Sequence, residues 1–185
     1  TPAFVLAWLA NFSQYLGFYL LVTTMALYAV REFAAGDAAS GFASSSFVVG
    51  ATVARLVTGF IVDRLGRRRV MLAALAVTIL ACALYLPTAS LPLLIAVRIL
   101  HGFAYAFAST AVMAIVQSVI PAARRAEGTG FFALGTTLAT AVGPALGLFL
   151  VGSFGYGTLL AAALGASTAG LVLATVMGTA AVVTL

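Results

Sequence analysis

Apolar residues run through this chain in long blocks, and most of the charges fall between the blocks. The blocks cover about residues 3–30, 42–62, 70–86, 93–120, 128–151 and 156–184. The first stops at Arg31-Glu32, the second at the basic run Asp63 to Arg69, and the third at a loop from Pro87 to Pro92. Pro121 with Arg124-Arg125 ends the fourth, and a turn over Gly152-Ser153-Phe154-Gly155 separates the last two. A helix crosses ~30 Å of hydrocarbon with ~20 apolar residues, so each block predicts one crossing. The strict alternation that a membrane β-barrel requires is missing. The expected fold is an all-α integral membrane domain of six transmembrane helices, one unit over residues 1–185.

Composition supports that expectation. Hydrophobic residues make up 64% of the chain and charged residues 7%, against roughly 45–50% and 25% in soluble proteins. The mean hydropathy of +1.20 excludes a soluble enzyme, a disordered tail or a nucleic-acid binder. The net charge of +5 does not argue for nucleic acid, because of where the charges lie. The loops after the second and fourth spans hold Arg64, Arg67, Arg68, Arg69, Arg124 and Arg125, whereas the opposite side holds Arg31. The positive-inside rule makes the arginine-rich side cytoplasmic, and an even number of crossings puts both termini there too. Nine arginines, no lysine and abundant alanine suggest a GC-rich bacterial genome, hence the bacterial inner (plasma) membrane. Arg55 and Arg98 lie within spans, but Glu32, Asp37, Asp63 and Glu127 all lie at span ends or in loops. The lone Cys82 permits no disulfide framework and reads as a small packing residue. Lacking a phosphate-binding loop, a nucleophile–base pair and a metal-ligand cluster, the chain is expected to be no enzyme and to need no cofactor. No basic leader with a small-residue cleavage site precedes the first span, so no cleavable signal peptide is expected.

The most specific pattern is Gly59-Phe60-Ile61-Val62-Asp63-Arg64-Leu65-Gly66-Arg67-Arg68-Arg69. Gly59 lets a second helix approach closely, Gly66 permits a tight turn, and the arginines suit anionic headgroups. Asp63, at a membrane edge, is suited to a cation or a helix N-terminus. This loop resembles that of the major facilitator superfamily, G-x-x-x-D-R-x-G-R-R-[RK], at every fixed position. The resemblance implies a transporter whose loop is a conformational latch formed by Gly59, Asp63, Arg64, Gly66, Arg67 and Arg68. Asp63 would pair with basic groups and a helix end in the opposite half of the molecule. It also implies that the six spans are two inverted three-helix repeats, the N-terminal half of a twelve-helix fold. Both ends of the chain look cut, so the partner is expected to be a missing C-terminal six-helix half, or a second copy.

In the fourth span, helical spacing puts Arg98, His101, Tyr105 and roughly Ser109 on one face. An arginine inside a span costs at least ~2.5 kcal/mol on insertion scales, so it turns to a cavity or a partner. Arg98 lies about 10 Å from the outer surface, where snorkelling to headgroups is the alternative. The stretch resembles the family's fourth-helix pattern R-x-x-q-G, with His101 in place of Gln. In proton-coupled members the matching arginine is linked to proton transfer. The fifth span carries Gly130, Gly143, Pro144 and Gly147 and resembles the motif of the family's exporters, G-x8-G-x3-G-P-x2-G-G, with Ala139 and Leu148 replacing two glycines. Small residues at this spacing make a face for close packing, and Pro144 removes a backbone hydrogen bond. In the first span Asn11, Gln14, Tyr15, Phe18 and Tyr19 form a polar-aromatic stripe. Aromatics and neutral amides suit an amphipathic substrate, and interhelical hydrogen bonding is the plainer alternative. Thr136, Thr137 and Thr140 are weaker lining candidates, and Trp8 reads as an interfacial anchor.

These features lead to one expectation and two alternatives. The expectation is half of a drug/proton antiporter that exports small amphipathic molecules from a bacterial cell, with the lipid bilayer, substrate and protons as partners. Its substrate cavity would be lined by Asn11, Gln14, Tyr15, Phe18, Arg98, His101 and Tyr105. The alternatives are an importer or symporter of a sugar or organic acid, with Arg98 holding a carboxylate, and a membrane scaffold that transports nothing.

Overall fold

The computed structural model describes residues 2–183, so the expected end of the last span at 184 lies outside the described residues. The chain forms α1 (Pro2–Val22), α2 (Met25–Phe33), α3 (Asp37–Leu65), α4 (Arg67–Leu84), α5 (Leu91–Val119), a short turn of 3-10 helix at Ala122–Arg124, α6 (Arg125–Phe154) and α7 (Tyr156–Val183). Among the described residues, five stretches are long and apolar enough to cross a membrane: α1, α3, α5, Ala122–Phe154 and Tyr156–Met177. The difference from six is α4. It has 18 residues, and three of them are the arginines of its first turn.

The first expected span is broken in two. At Thr23-Thr24 the helix stops, and the Thr24 hydroxyl donates to the Leu20 carbonyl at 2.8 Å. The freed Val22 carbonyl accepts from the Ser44 hydroxyl of α3 at 2.9 Å. Carbonyls orphaned at a helix end are thereby satisfied by side chains, which makes the break affordable inside an apolar region. Other boundaries also move. The expected loop before the second span is largely helix, because Asp37 opens the first turn of α3, where an acidic side chain suits the helix dipole. Arg67, Arg68 and Arg69 belong to α4 rather than to a loop, since Gly66 alone makes the turn with φ 91°. Gly152 to Phe154 stay helical, and the turn is concentrated at Gly155, with φ 83°.

Helix α1 packs on α6 and α7 just as α5 packs on α4 and α3; α4 also meets α7, and α1 meets α5. The closest approaches are at glycines. A Cβ on Gly102 of α5 would strike the backbone carbonyl of Phe47 in α3, and one on Gly50 of α3 would strike that of Ile99. On the other side, a Cβ on Gly147 of α6 would lie 2.7 Å from the Leu20 carbonyl oxygen of α1. Small residues let backbones touch where apolar surroundings supply little driving force, so packing itself holds the helices together. Cys82 is buried, with Sγ 3.3 Å from the Ser167 hydroxyl of α7.

Candidate functional site

The predicted face of α5 turns inward, with Arg98 at 0%, His101 at 3% and Tyr105 at 5% exposure. Arg98 is held without a carboxylate. Its Nε donates to the Ala43 carbonyl at 3.3 Å and one terminal nitrogen to the Ser44 carbonyl at 2.7 Å, both on α3. Its guanidinium carbon lies 5.3 Å from the centre of the Phe47 ring. Carbonyl oxygens and an aromatic face thus replace part of the hydration that burial removes. The remaining terminal nitrogen, Nη1, is buried without a hydrogen-bond partner. One turn on, His101 places Nδ1 3.1 Å from the hydroxyl of Tyr85, the residue after α4, and meets Phe47 edge to face at 5.1 Å. Ser109 bonds its own helix at the Ala106 carbonyl.

Helix α1 brings aromatic rings to this face. Tyr15 packs edge-on against Tyr105 at 5.5 Å, and Phe18 lies 5.6 Å from Tyr105 and 4.6 Å from Phe47. Tyr19 stacks on Tyr15 at 6.4 Å. Tyr15, Phe18, Phe47, Arg98, His101 and Tyr105 therefore form one cluster across three helices. The amides of α1 point elsewhere. Asn11 donates to the Thr136 hydroxyl of α6 at 3.4 Å, and Gln14 is buried with its Nε2 unpartnered, close to where a Cβ on Gly170 of α7 would stand.

The arginine-rich end is open. Asp63, Arg64, Gly66, Arg67 and Arg68 are exposed, and nothing lies within 4 Å of a Cβ built on Gly59. Arg67 donates to the Ala114 carbonyl of α5 at 3.1 Å, and Arg64 lies over the Phe60 ring at 5.7 Å. Among the described residues the ion pair at this end is Arg124–Glu127, at 2.6 Å, and Asp63 has none. In α6, Gly143 faces Tyr19 and Gly147 faces Leu20, both on α1, while Gly130 faces open space. The helix continues through Pro144. Thr137 and Thr140 bond their own helix at the Ala133 and Thr136 carbonyls. Trp8 donates its indole N–H to the Phe131 carbonyl of α6 at 3.1 Å, a bond between helices that residue type alone does not announce.

Sequence reasoning missed Phe47 and Tyr85, which hold Arg98 and His101 from α3 and from the turn after α4. Each is one aromatic among many in an apolar run, with no signal to separate it. Arg55 did carry a signal, a charge inside a span, but its surroundings gave it no role. It is exposed on α3.

Comparison with known proteins agrees with this architecture. Residues 7–183 match the family model of the Major Facilitator Superfamily. An uncharacterized MFS-type transporter, YwfA of Bacillus subtilis (strain 168), is 31% identical over 138 residues, which are 74% of this chain and 33% of that protein. The facilitated glucose transporter member 10 of solute carrier family 2 from Mus musculus is 32% identical over 108 residues, 58% of this chain and 20% of that protein. The corresponding protein of Xenopus tropicalis is 30% identical over the same length. The chain thus spans a third or less of the curated relatives it matches. A match over nearly its whole length, on helices built to cross a membrane, makes this chain a multi-pass membrane protein belonging to the Major Facilitator Superfamily.

Proposed function

We propose that the chain is the N-terminal half of a bacterial secondary transporter that exports small amphipathic molecules by proton-coupled alternating access. The observation that carries this reading is the convergence of Tyr15, Phe18, Phe47, Arg98, His101 and Tyr105 at the middle of the helical unit. Aromatic surface with a few fixed polar groups suits an amphipathic molecule, and a buried cation beside a histidine suits proton handling. The matching helix pairs, α1 with α6 and α7 and α5 with α3 and α4, support two three-helix repeats, with α4 as the sixth crossing. Asp63 is exposed without an ion pair among the described residues, which leaves it free to engage a second half. The exporter reading rests on Gly143, Pro144 and Gly147 in α6, and the bacterial inner membrane with cytoplasmic termini rests on the distribution of arginines.

Whole-cell efflux of an amphipathic dye by the complete protein tests the reading. Asp63→Asn and Arg98→Ala should each slow efflux at least ~10-fold, taking a lost charge-assisted hydrogen bond as about 1.5 kcal/mol. Unchanged efflux in both variants would remove the roles assigned to these residues. Import of a sugar is the second reading, favoured by the likeness to a mouse relative that is a facilitated glucose transporter. Uptake of labelled sugar into vesicles separates the two.

A further inference from the structure

Helices α3 and α4 leave the Gly66 turn and each pack on α5, but barely on one another. Their divergence opens a groove of about 610 Å³ with α5 as its floor. On α4 the wall runs from Arg69 to Val77, eight residues or ~12 Å along one helix face. Leu65 of α3 and Phe103 of α5 also line it and are 57% and 40% exposed, so the groove opens outward. Apart from Arg69, every lining residue is apolar.

Size and charge together say what fills it. Spread over ~12 Å, the volume gives a mean cross-section of about 50 Å², against about 80 Å² for a helix ~10 Å across. A flexible hydrocarbon chain fits that slot, and a helix does not. Arg69 is exposed at the mouth and makes no hydrogen bond or ion pair among the described residues. Its neighbours are engaged, Arg67 with the Ala114 carbonyl and Arg64 with the Phe60 ring. The stem of Arg69 can lie on the apolar wall while its guanidinium reaches the headgroup layer. From Asp63 to Arg69 four arginines stand against one acid, so this end favours a negative headgroup. We propose that the groove binds an acyl chain of an anionic phospholipid whose phosphate is held by the Arg69 guanidinium. The first turn of α4, which has no side-chain cap, adds backbone N–H groups that attract the same anion. Phe103 stands about 160° around α5 from both His101 and Tyr105, so the lipid braces that helix from behind. The inference rests on the chain being a membrane protein and is independent of what is transported and in which direction.

Native mass spectrometry of the complete protein, equilibrated in detergent with equal amounts of dioleoyl phosphatidylglycerol and dioleoyl phosphatidylcholine, tests it. The glycerol lipid should be retained at least about fivefold over the choline lipid, and Arg69→Gln should cut that preference about fivefold. Arg125→Gln, which removes an arginine at the start of α6 and outside the groove, should leave the preference within about twofold. Ala73→Phe plugs the groove and should remove one bound phosphatidylglycerol, and Val77→Trp is the second plug should the first fail to fold. The headgroup alone, glycerophosphoglycerol, should not be retained.

An unchanged preference in Arg69→Gln overturns the proposal. An equal loss in Arg125→Gln also overturns it, because the attraction would then be general to this end. Undiminished retention in the plugged variants, or retention of the bare headgroup, would put the lipid on surface arginines alone and sinks it as well. If the unaltered protein retains no phosphatidylglycerol the proposal fails, and a lowered melting temperature in Ala73→Phe would then show another helix in the groove.

Discussion

The two flanks of α3 show how one helix can serve two purposes. Toward α5 it is packed to contact. Gly50 and Gly102 leave no room for a Cβ, and the carbonyls of Ala43 and Ser44 hold the Arg98 guanidinium. Along its exposed side lie Arg55, Gly59 and Asp63, whose charges have no ion pair among the described residues and whose glycine faces empty space. Glycine occurs on both flanks, so that residue type does not distinguish them. The packed flank supports the fold, and the open flank is available to whatever the transporter moves against or binds.

The comparison is most easily broken at the packed flank. Gly102→Val should destabilise the protein by about 3 kcal/mol, the upper end for overpacking a tight contact, because the new side chain meets the Phe47 backbone. A thermal melt of the purified protein in detergent reads this as a clear drop, and an unchanged melt would mean that α3 and α5 can separate cheaply. Arg98→Ala should come next, at about 2 kcal/mol, since it removes two charge-assisted hydrogen bonds and leaves a space behind. Arg98→Met, which refills the space without the charge, should recover part of that loss while still impairing efflux. Equal melts for the two would assign the loss to the bonds alone. The smallest effect belongs to the open flank. Gly59→Ala should change stability by no more than about 0.5 kcal/mol, as nothing stands within 4 Å of the added carbon. A large change there would place another surface against Gly59.

Much of this arrangement was legible in the chain. The inward face of Arg98, His101 and Tyr105 follows from helical periodicity, which relates residues three and four apart whatever surrounds them. Gly66 was readable as a tight turn because its position between an apolar run and three arginines leaves little chain to reverse direction. The break after Val22 was not legible. Thr23-Thr24 sits in a continuous apolar run, and its stability depends on Ser44, a residue twenty-two positions away from Val22. Treating Asn11, Gln14, Tyr15 and Phe18 as one stripe missed their fan-out. Asn11 bonds α6, Gln14 lies by α7, and Tyr15 and Phe18 meet α5.

Hydrophobicity, the punctuation by charge and Gly, and the latch and fourth-helix motifs were enough to determine a membrane protein of this superfamily, because those properties are local and additive along the chain. Which neighbour each face meets was decided only by the tertiary structure. Periodicity orients a side chain about its own helix axis and carries no information about the helix opposite. The opposite helix is what makes Arg98 an enclosed cation on α3 carbonyls, whereas Arg55 is left exposed.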